Sequence, residues 1–173
     1  HAINTEHKLG IHASPTCVMS YGDNGGAVGY LVGQPHQGLS AMFTMMNNER
    51  LVVGLQGVSL SDRAYQGALK YARERIQCAP PGSKQRGEII HHPDVRRMLM
   101  TMRSITEAGR AISYVTAAQI DLSHKAKDET VRGLALKRVG LLIPIVKGWC
   151  TEVSQEITSL GVQVHGGMGF IEE

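Results

Sequence analysis

The sequence predicts a mainly α-helical fold, in which a bundle of long helices follows a short β segment. Three long stretches, beginning near residues 39, 92 and 128, repeat apolar side chains every three or four positions, as amphipathic helices do. Eight Met against two Phe and one Trp favour helices packed through aliphatic and Met side chains over an aromatic-rich β core. Gly and Pro instead punctuate the first 35 residues, which predicts short strands and turns there.

Two short apolar runs in the N-terminal segment predict a pair of strands. They are 17–21 and 28–32, and the glycine-rich segment 22–26 between them predicts a turn. A pair of strands is not stable alone. We therefore expect residues 1–35 to be the end of a larger β domain, and this chain, which does not begin with Met, to be a piece of a longer protein.

The remaining residues, 36–173, predict a helical bundle domain that stops before its last helix. The first helix is expected to run from about Leu39 to Gln77, and a Pro- and Gly-rich loop should follow it over 78–91. The second helix should begin at His92, because Pro93 then occupies the first turn, where proline is tolerated, and it should end within 123–127.

The third helix should begin at Asp128-Glu129, since acidic residues suit a first turn, and end at Gly161. Pro144 lies inside it and is expected to kink it, because proline removes a backbone donor and crowds the preceding turn. The apolar stripe that this helix should bury is Val131, Leu134, Leu142, Ile145, Trp149, Val153, Ile157 and Leu160.

Composition argues against several classes of protein. The net charge of +3 is small and scattered, which does not indicate a nucleic-acid-binding protein. The longest apolar run, 139–146, is too short to span a membrane. Cys17, Cys78 and Cys150 are far apart, which favours a reducing compartment over a disulfide scaffold. No His or Cys spacing typical of a metal site occurs, so none is predicted.

The strongest motif is the run Gln163-Val164-His165-Gly166-Gly167-Met168-Gly169-Phe170. Three glycines within four positions let a backbone approach a flat or charged group, because no Cβ stands in the way. Alternatively, the run is only a helix C-cap with a flexible exit. Its pattern, Gln-x-x-Gly-Gly-x-Gly-Phe, resembles the FAD-contacting motif near the C-terminus of the acyl-CoA dehydrogenases.

The resemblance extends over nearly the whole chain. Four segments carry the resemblance, namely 45–51, 71–77, 92–99 and 162–172. They are most similar to the subgroup that resembles 3-methylmercaptopropionyl-CoA dehydrogenase. It implies the C-terminal helical bundle of such an enzyme, preceded by the end of its middle β domain.

Four positions match FAD contacts of that family. Arg75 matches an Arg that holds the FAD pyrophosphate of a neighbouring subunit, a role that suits the fixed fork of a guanidinium. The alternative for Arg75 is a solvated side chain that stabilises a helix end. Gln163, Gly166 and Gly167 match the adenine and ribose end of the FAD site. Cys78 stands where members of the family often have Phe, which departs from the pattern.

On the first helix, Arg50 matches a position near the bound acyl-CoA, and Asn47 one near its pantetheine arm. The usual catalytic base of the family is a Glu further along than Glu173, and neither Glu172 nor Glu173 corresponds to it. Some relatives place the base at the position of Glu49 instead. Glu49 is therefore an alternative base, or otherwise an ordinary residue of the helix.

The activity implied is FAD-dependent α,β-dehydrogenation of an acyl-CoA thioester, with electrons passed to an electron-transferring flavoprotein. The resemblance also implies a homodimer or homotetramer, in the bacterial cytoplasm or the mitochondrial matrix, and a fragment that is inactive alone. Two alternatives stay open: a helical interaction module without redox activity, and an acyl-CoA oxidase.

Overall fold

The computed structural model describes residues 1–172 and is mainly α-helical, which confirms the predicted fold class. It divides into two compact units, the first comprising His1–Ala41 and the second beginning at Met42. In chain order, the elements are β1 (Ala2–Thr5), β2 (Cys17–Met19), α1 (Gly38–Glu74), α2 (Pro93–Lys125) and α3 (Glu129–His165), with 3-10 helices at Ile89–His91 and Gly166–Phe170.

The N-terminal unit contains one antiparallel strand pair, in which β1 pairs with β2. The predicted strand 17–21 is confirmed in its first part, and the turn at 22–26 is closed by the Gly26 N–H, which donates to the Gly22 carbonyl at 3.0 Å. The predicted strand 28–32 was wrong, since no strand forms there. An interior glycine, Gly29, weakens that run, and the true partner, Ala2–Thr5, lacks the strong apolar alternation that marks a strand.

All three predicted helices are present, and their starts agree with local capping. Pro93 occupies the first turn of α2, followed by Asp94, and the Asp128 side chain before α3 accepts a hydrogen bond from the Thr130 N–H at 2.7 Å. The helix α3 continues through Pro144 and past Gly161 to His165. Ending it at Gly161 was therefore wrong, because that glycine is buried within the helix.

The helices run up, down and up. A methyl group at Gly109 of α2 would lie 3.6 Å from the Cys150 sulfur of α3, and one at Gly161 of α3 would lie 3.6 Å from Met102 of α2. Residue numbers thus rise along α2 as they fall along α3, so these two helices are antiparallel. Gly161 also faces Ala64 of α1.

The helices α1 and α3 approach each other most closely at two glycines. A Cβ at Gly54 would lie 2.6 Å from the Val146 side chain, and a Cβ at Gly57 would collide with the Cys150 carbonyl oxygen. Residue numbers at these contacts rise along both helices, so α1 and α3 run parallel. Such an approach leaves room only for small side chains at the contact.

This close approach explains an error in the predicted stripe of α3. Of that stripe only Ile157 is fully buried, whereas Leu134, Ile145 and Trp149 are exposed. The residues that α3 buries are smaller on average, namely Ala135, Val139, Ile143, Val146, Cys150, Ser154, Ile157, Gly161 and Val164. The largest apolar side chains therefore lie on the outer face of the helix.

None of the helices formed by residues 1–172 combines the length and the apolar composition needed to cross a membrane.

Candidate functional site

A groove of about 570 Å³ opens where the end of α1, the start of α2 and the end of α3 meet. Arg75, Gln163, Gly166 and Gly167, which are the four positions matched to FAD contacts, all line it. The other residues that line the groove are Tyr71, Gln77, Cys78, Ile89, His92, Val95, Val164, His165 and Met168. The fold therefore brings together residues that are about 90 positions apart in sequence.

The floor of the groove is continuous with the main hydrophobic core. Ile89 and Val164 line the groove and are also members of the core cluster. Met102 and Ile157, which are completely buried, belong to the same cluster. The groove residues are thus carried by packed elements, which favours a preformed site over one assembled by a loose loop.

Arg75 is fixed through its backbone. Its N–H donates to the Tyr71 carbonyl at 2.9 Å, and its own carbonyl accepts from the Ile89 N–H at 2.8 Å. Ile76 then forms a β-bridge with Glu88, so the predicted loop contains a short antiparallel ladder. The Arg75 side chain is exposed, and within residues 1–172 it makes no ion pair. Its guanidinium is therefore available to an anionic ligand.

The glycine motif begins as α3 ends. Gly166 has φ 61° and ψ −136°, a conformation that glycine tolerates far better than other residues, and its N–H donates to the Gln163 carbonyl. A Cβ at Gly166 or Gly167 would meet no atom within 4 Å, so space is open beside this backbone. Gly166 is thus a helix C-cap that also borders the groove.

Gly169 has a different function from the two glycines before it. A Cβ there would lie 2.6 Å from the Val162 carbonyl oxygen and 3.2 Å from the His165 Cβ. Packing of the turn against α3 therefore requires glycine at this position. The motif combines one glycine needed for packing with two that border open space.

Two stacked rings form an aromatic wall of the groove. The ring centroids of Tyr71 and His165 are 4.6 Å apart, with the planes tilted by 32°. His165 Nδ1 lies 2.8 Å from the Gly161 carbonyl oxygen, and because a carbonyl only accepts, Nδ1 carries the hydrogen. His165 is therefore packed against Tyr71 and hydrogen-bonded to its own helix. Tyr71 was not predicted as a site residue, since its place on a helical stripe indicates a core position.

The residues matched to acyl-CoA contacts lie at the other end of α1. The Arg50 Nη1 donates to the Asn47 Oδ1 at 3.5 Å, and its guanidinium lies 5.9 Å from the Phe43 ring centroid. Glu49 is exposed next to them. At 1.5 Å per residue, Arg50 and Arg75 are roughly 37 Å apart along the helix. The structure therefore does not bring Asn47, Glu49 and Arg50 to the groove.

A second groove, of about 510 Å³ between α1 and α2, is a weaker candidate. Arg110 lines it and pairs with Glu107 at 2.9 Å and Asp62 at 3.4 Å. The hydrogen bond to Glu107 is the largest of the effects that raise the pKa of Arg110. Both carboxylates neutralise this guanidinium, and none of the positions matched to FAD or acyl-CoA contacts lines this groove. Residues 1–172 contain no cluster of His, Cys, Asp and Glu fit to bind a metal ion.

Comparison with known proteins gives a consistent result. The family model for the acyl-CoA dehydrogenase C-terminal domain matches residues 36–173. The chain is 54% identical over 173 residues to 3-methylmercaptopropionyl-CoA dehydrogenase of Ruegeria pomeroyi, with 99% of this chain and 29% of that protein covered. It is 38% identical over 177 residues to a butyryl-CoA dehydrogenase of Syntrophomonas wolfei, covering 97% of this chain and 29% of the relative.

A solved structure shows the same fold. The butyryl-CoA dehydrogenase of Megasphaera elsdenii superposes with a TM-score of 0.73 at 21% identity, covering 97% of this chain and 39% of that one. The chain thus spans 29% of the length of the two curated relatives.

Proposed function

The chain belongs to the acyl-CoA dehydrogenase family, through its C-terminal domain, and from that premise we propose that it forms part of the FAD site of such an enzyme. The reaction proposed is α,β-dehydrogenation of an acyl-CoA thioester to the 2-enoyl-CoA. One observation carries the proposal: Arg75 and the motif residues Gln163, Gly166 and Gly167, matched to FAD contacts in two remote segments, line a single groove.

The groove fits the adenosine diphosphate end of FAD. Its volume of about 570 Å³ lies within the range of ligand pockets. The free guanidinium of Arg75 suits a pyrophosphate, which it can hold through two parallel hydrogen bonds. The open space at Gly166 and Gly167 admits a ligand close to the backbone, and Gln163, an exposed amide, can both donate and accept hydrogen bonds.

The proposed roles in the reaction divide between the two ends of α1. FAD, when bound, supplies the acceptor for the hydride that leaves the β carbon. Arg75 and the glycine motif would hold the cofactor, while Arg50 and Asn47 would border the acyl-CoA. The α proton would pass to a carboxylate that lies further along the protein than Glu173, with Glu49 as the alternative base.

A second copy of the chain is proposed as a partner. The rigid separation of roughly 37 Å between Arg50 and Arg75 supports the assignment of Arg75 to the FAD of a neighbouring subunit. The outer face of α3, which exposes Leu134, Leu141 and Ile145, offers apolar area for such an assembly. An electron-transferring flavoprotein is the proposed electron acceptor.

The Arg75→Leu variant of the full-length protein tests the proposed cofactor site. Hydrogen bonds to charged groups contribute about 1.5–3 kcal/mol, so the Kd for FAD, measured by flavin fluorescence, should rise about tenfold or more. Arg73→Leu is the matched control, because Arg73 leaves the same end of α1 and does not line the groove. An unchanged Kd for Arg75→Leu, or an equal rise in both variants, would contradict the proposed site.

A further inference from the structure

The short antiparallel ladder that begins at Arg75 contains a bulge two residues further on. The Gln77 N–H donates to the Gly87 carbonyl at 3.1 Å, but the Gly87 N–H donates to the carbonyl of Cys78, also at 3.1 Å. Two residues of one strand thus oppose one residue of the other, as in a β-bulge. Cys78 adopts φ 58°, in the left-handed region. The consequence is that the Gln77 carbonyl has no backbone donor in the ladder.

The imidazole of His92 supplies the missing donor. His92 Nε2 lies 3.0 Å from the Gln77 carbonyl oxygen, and since a carbonyl only accepts, Nε2 carries the hydrogen and donates it. His92 is the N-cap residue of α2, yet its side chain makes no capping hydrogen bond to that helix. Its ring, which is partly buried and lines the groove, is used instead to hold the segment that leaves α1.

We propose that His92 is a positioning residue for the phosphate-binding function of Arg75. Ile89 holds the Arg75 carbonyl on one side, and His92 holds the Gln77 carbonyl two residues later, so the segment that presents the guanidinium is fixed at both ends. A guanidinium binds two phosphate oxygens only in one orientation, and fixing it before the ligand arrives lowers the entropy lost on binding. The proposal rests on the proposed FAD site.

A purely structural role for His92 differs from this one in a measurable way. If His92 acts through Arg75, its loss should weaken FAD binding only while Arg75 is present, since two residues that act as one unit are not additive. If His92 only stabilises the fold, its loss should weaken binding by the same factor with or without Arg75. A double-mutant cycle on the two residues separates these cases.

The variants His92→Gln and His92→Asn of the full-length protein make a matched pair. The Gln amide can reach the Gln77 carbonyl, whereas the Asn amide, one methylene shorter, falls short of it. Asn is also a favoured N-cap residue, so a weaker FAD affinity in His92→Asn would not come from a lost helix cap. His91→Asn is the control for the neighbouring position, because His91 is exposed, pairs with Glu88 at 3.6 Å and does not line the groove.

The measurement is the Kd for FAD from flavin fluorescence, with circular dichroism as a check on folding. His92→Asn should raise the Kd about three- to tenfold, the effect of one lost hydrogen bond, while His92→Gln and His91→Asn stay within about twofold of the unmodified protein. In the Arg75→Leu background, His92→Asn should cause no further rise.

Three results would overturn the inference while leaving the FAD site in place: an unchanged Kd for His92→Asn, an equal loss in His92→Gln, or an equal further loss in the Arg75→Leu background. If the unmodified protein binds no FAD, the proposed function fails, and this inference fails with it.

Discussion

Arg73 and Arg75 leave the same end of α1, and only Arg75 lines the groove. Arg73 lies in the last turn of the helix, where a cation stabilises the helix C-terminus, whereas Arg75 lies beyond the helix in a short ladder. Residue type and helical periodicity alone do not distinguish the two. The resemblance to the family selects Arg75, and the geometry gives that choice a physical basis.

His92 and Tyr71 show what sequence reasoning misses at the residue scale. Tyr71 belongs to a helical stripe and His92 precedes a proline at a helix start, so each has an ordinary structural explanation. Both become groove residues only because the end of α1, the start of α2 and the end of α3 meet at one place. Contacts between elements remote in sequence leave no local periodic signal.

Glu49 should be dispensable for catalysis in the full-length protein. It is exposed on α1, and the proposed base lies further along the full-length protein than Glu173. We expect Glu49→Gln to keep turnover of acyl-CoA within about threefold of the unmodified enzyme, whereas loss of a general base costs about 100-fold or more. The measurement is steady-state reduction of an artificial electron acceptor. The flavin absorbance of the variant serves as the control for cofactor content, and a hundredfold loss with flavin retained would identify Glu49 as the base.

Among the elements, the contact between α1 and α3 depends most on small residues. Gly54 and Gly57 of α1 face Val146 and Cys150 of α3, where a Cβ would be too close to backbone or side-chain atoms. Val146 and Cys150 are almost completely buried at this contact, and burial raises the pKa of the Cys150 thiol. This interface positions the two helices whose far ends form the groove.

Gly57→Ala should therefore destabilise the domain. The added methyl group would collide with the Cys150 carbonyl oxygen, which can move only if the helices separate. Overpacking of this kind costs about 1–3 kcal/mol of unfolding free energy, measurable by urea denaturation.

Gly67→Ala on the same helix is the matched control for Gly57→Ala. A Cβ at Gly67 would meet no atom within 4 Å, so the higher helix propensity of alanine should stabilise the domain by up to about 1 kcal/mol. Equal effects of the two substitutions would show that the close packing at Gly57 is not a constraint.

The sequence predicts the presence of the three helices more securely than it predicts where they end or which of their faces is buried. The three helices each carry enough periodic apolar residues to be predicted. The end of α3 was misplaced because Gly161 serves helix packing rather than termination. The buried face of α3 was predicted wrongly because its large apolar side chains, such as Leu134 and Trp149, are exposed, while the contact with α1 admits only small residues. Both the end of α3 and its buried face depend on how the helices pack against each other, and local sequence patterns do not show that packing.

On the scale of the whole molecule, the chain has the proposed cofactor groove at one end of α1 and the proposed acyl-CoA residues nearer the other. The curated relatives are more than three times as long as the segment matched, since this chain covers 29% of each. A complete active site as proposed needs the rest of such a protein and a second copy. Neither requirement follows from helical periodicity, and both come from membership of the family.

Leu141→Glu should weaken self-association of the full-length protein. Leu141 lies on the outer face of α3 with 66% of its surface exposed, so the substitution spares the core and places a charge where an apolar contact is proposed. We expect a smaller molar mass by light scattering at low micromolar concentration. Lys147→Glu, at an exposed polar position about 120° around the same helix, is the control and should leave the mass unchanged. An unchanged mass for Leu141→Glu would exclude this face from the interface.

We propose that the chain belongs to a working FAD-dependent acyl-CoA dehydrogenase. The most direct measurement is the visible spectrum of the full-length protein before and after anaerobic addition of acyl-CoA thioesters. We predict flavin absorbance that bleaches with at least one thioester as the 2-enoyl-CoA forms. A protein that stays colourless after FAD is supplied, or whose bound flavin no acyl-CoA bleaches, would contradict the claim.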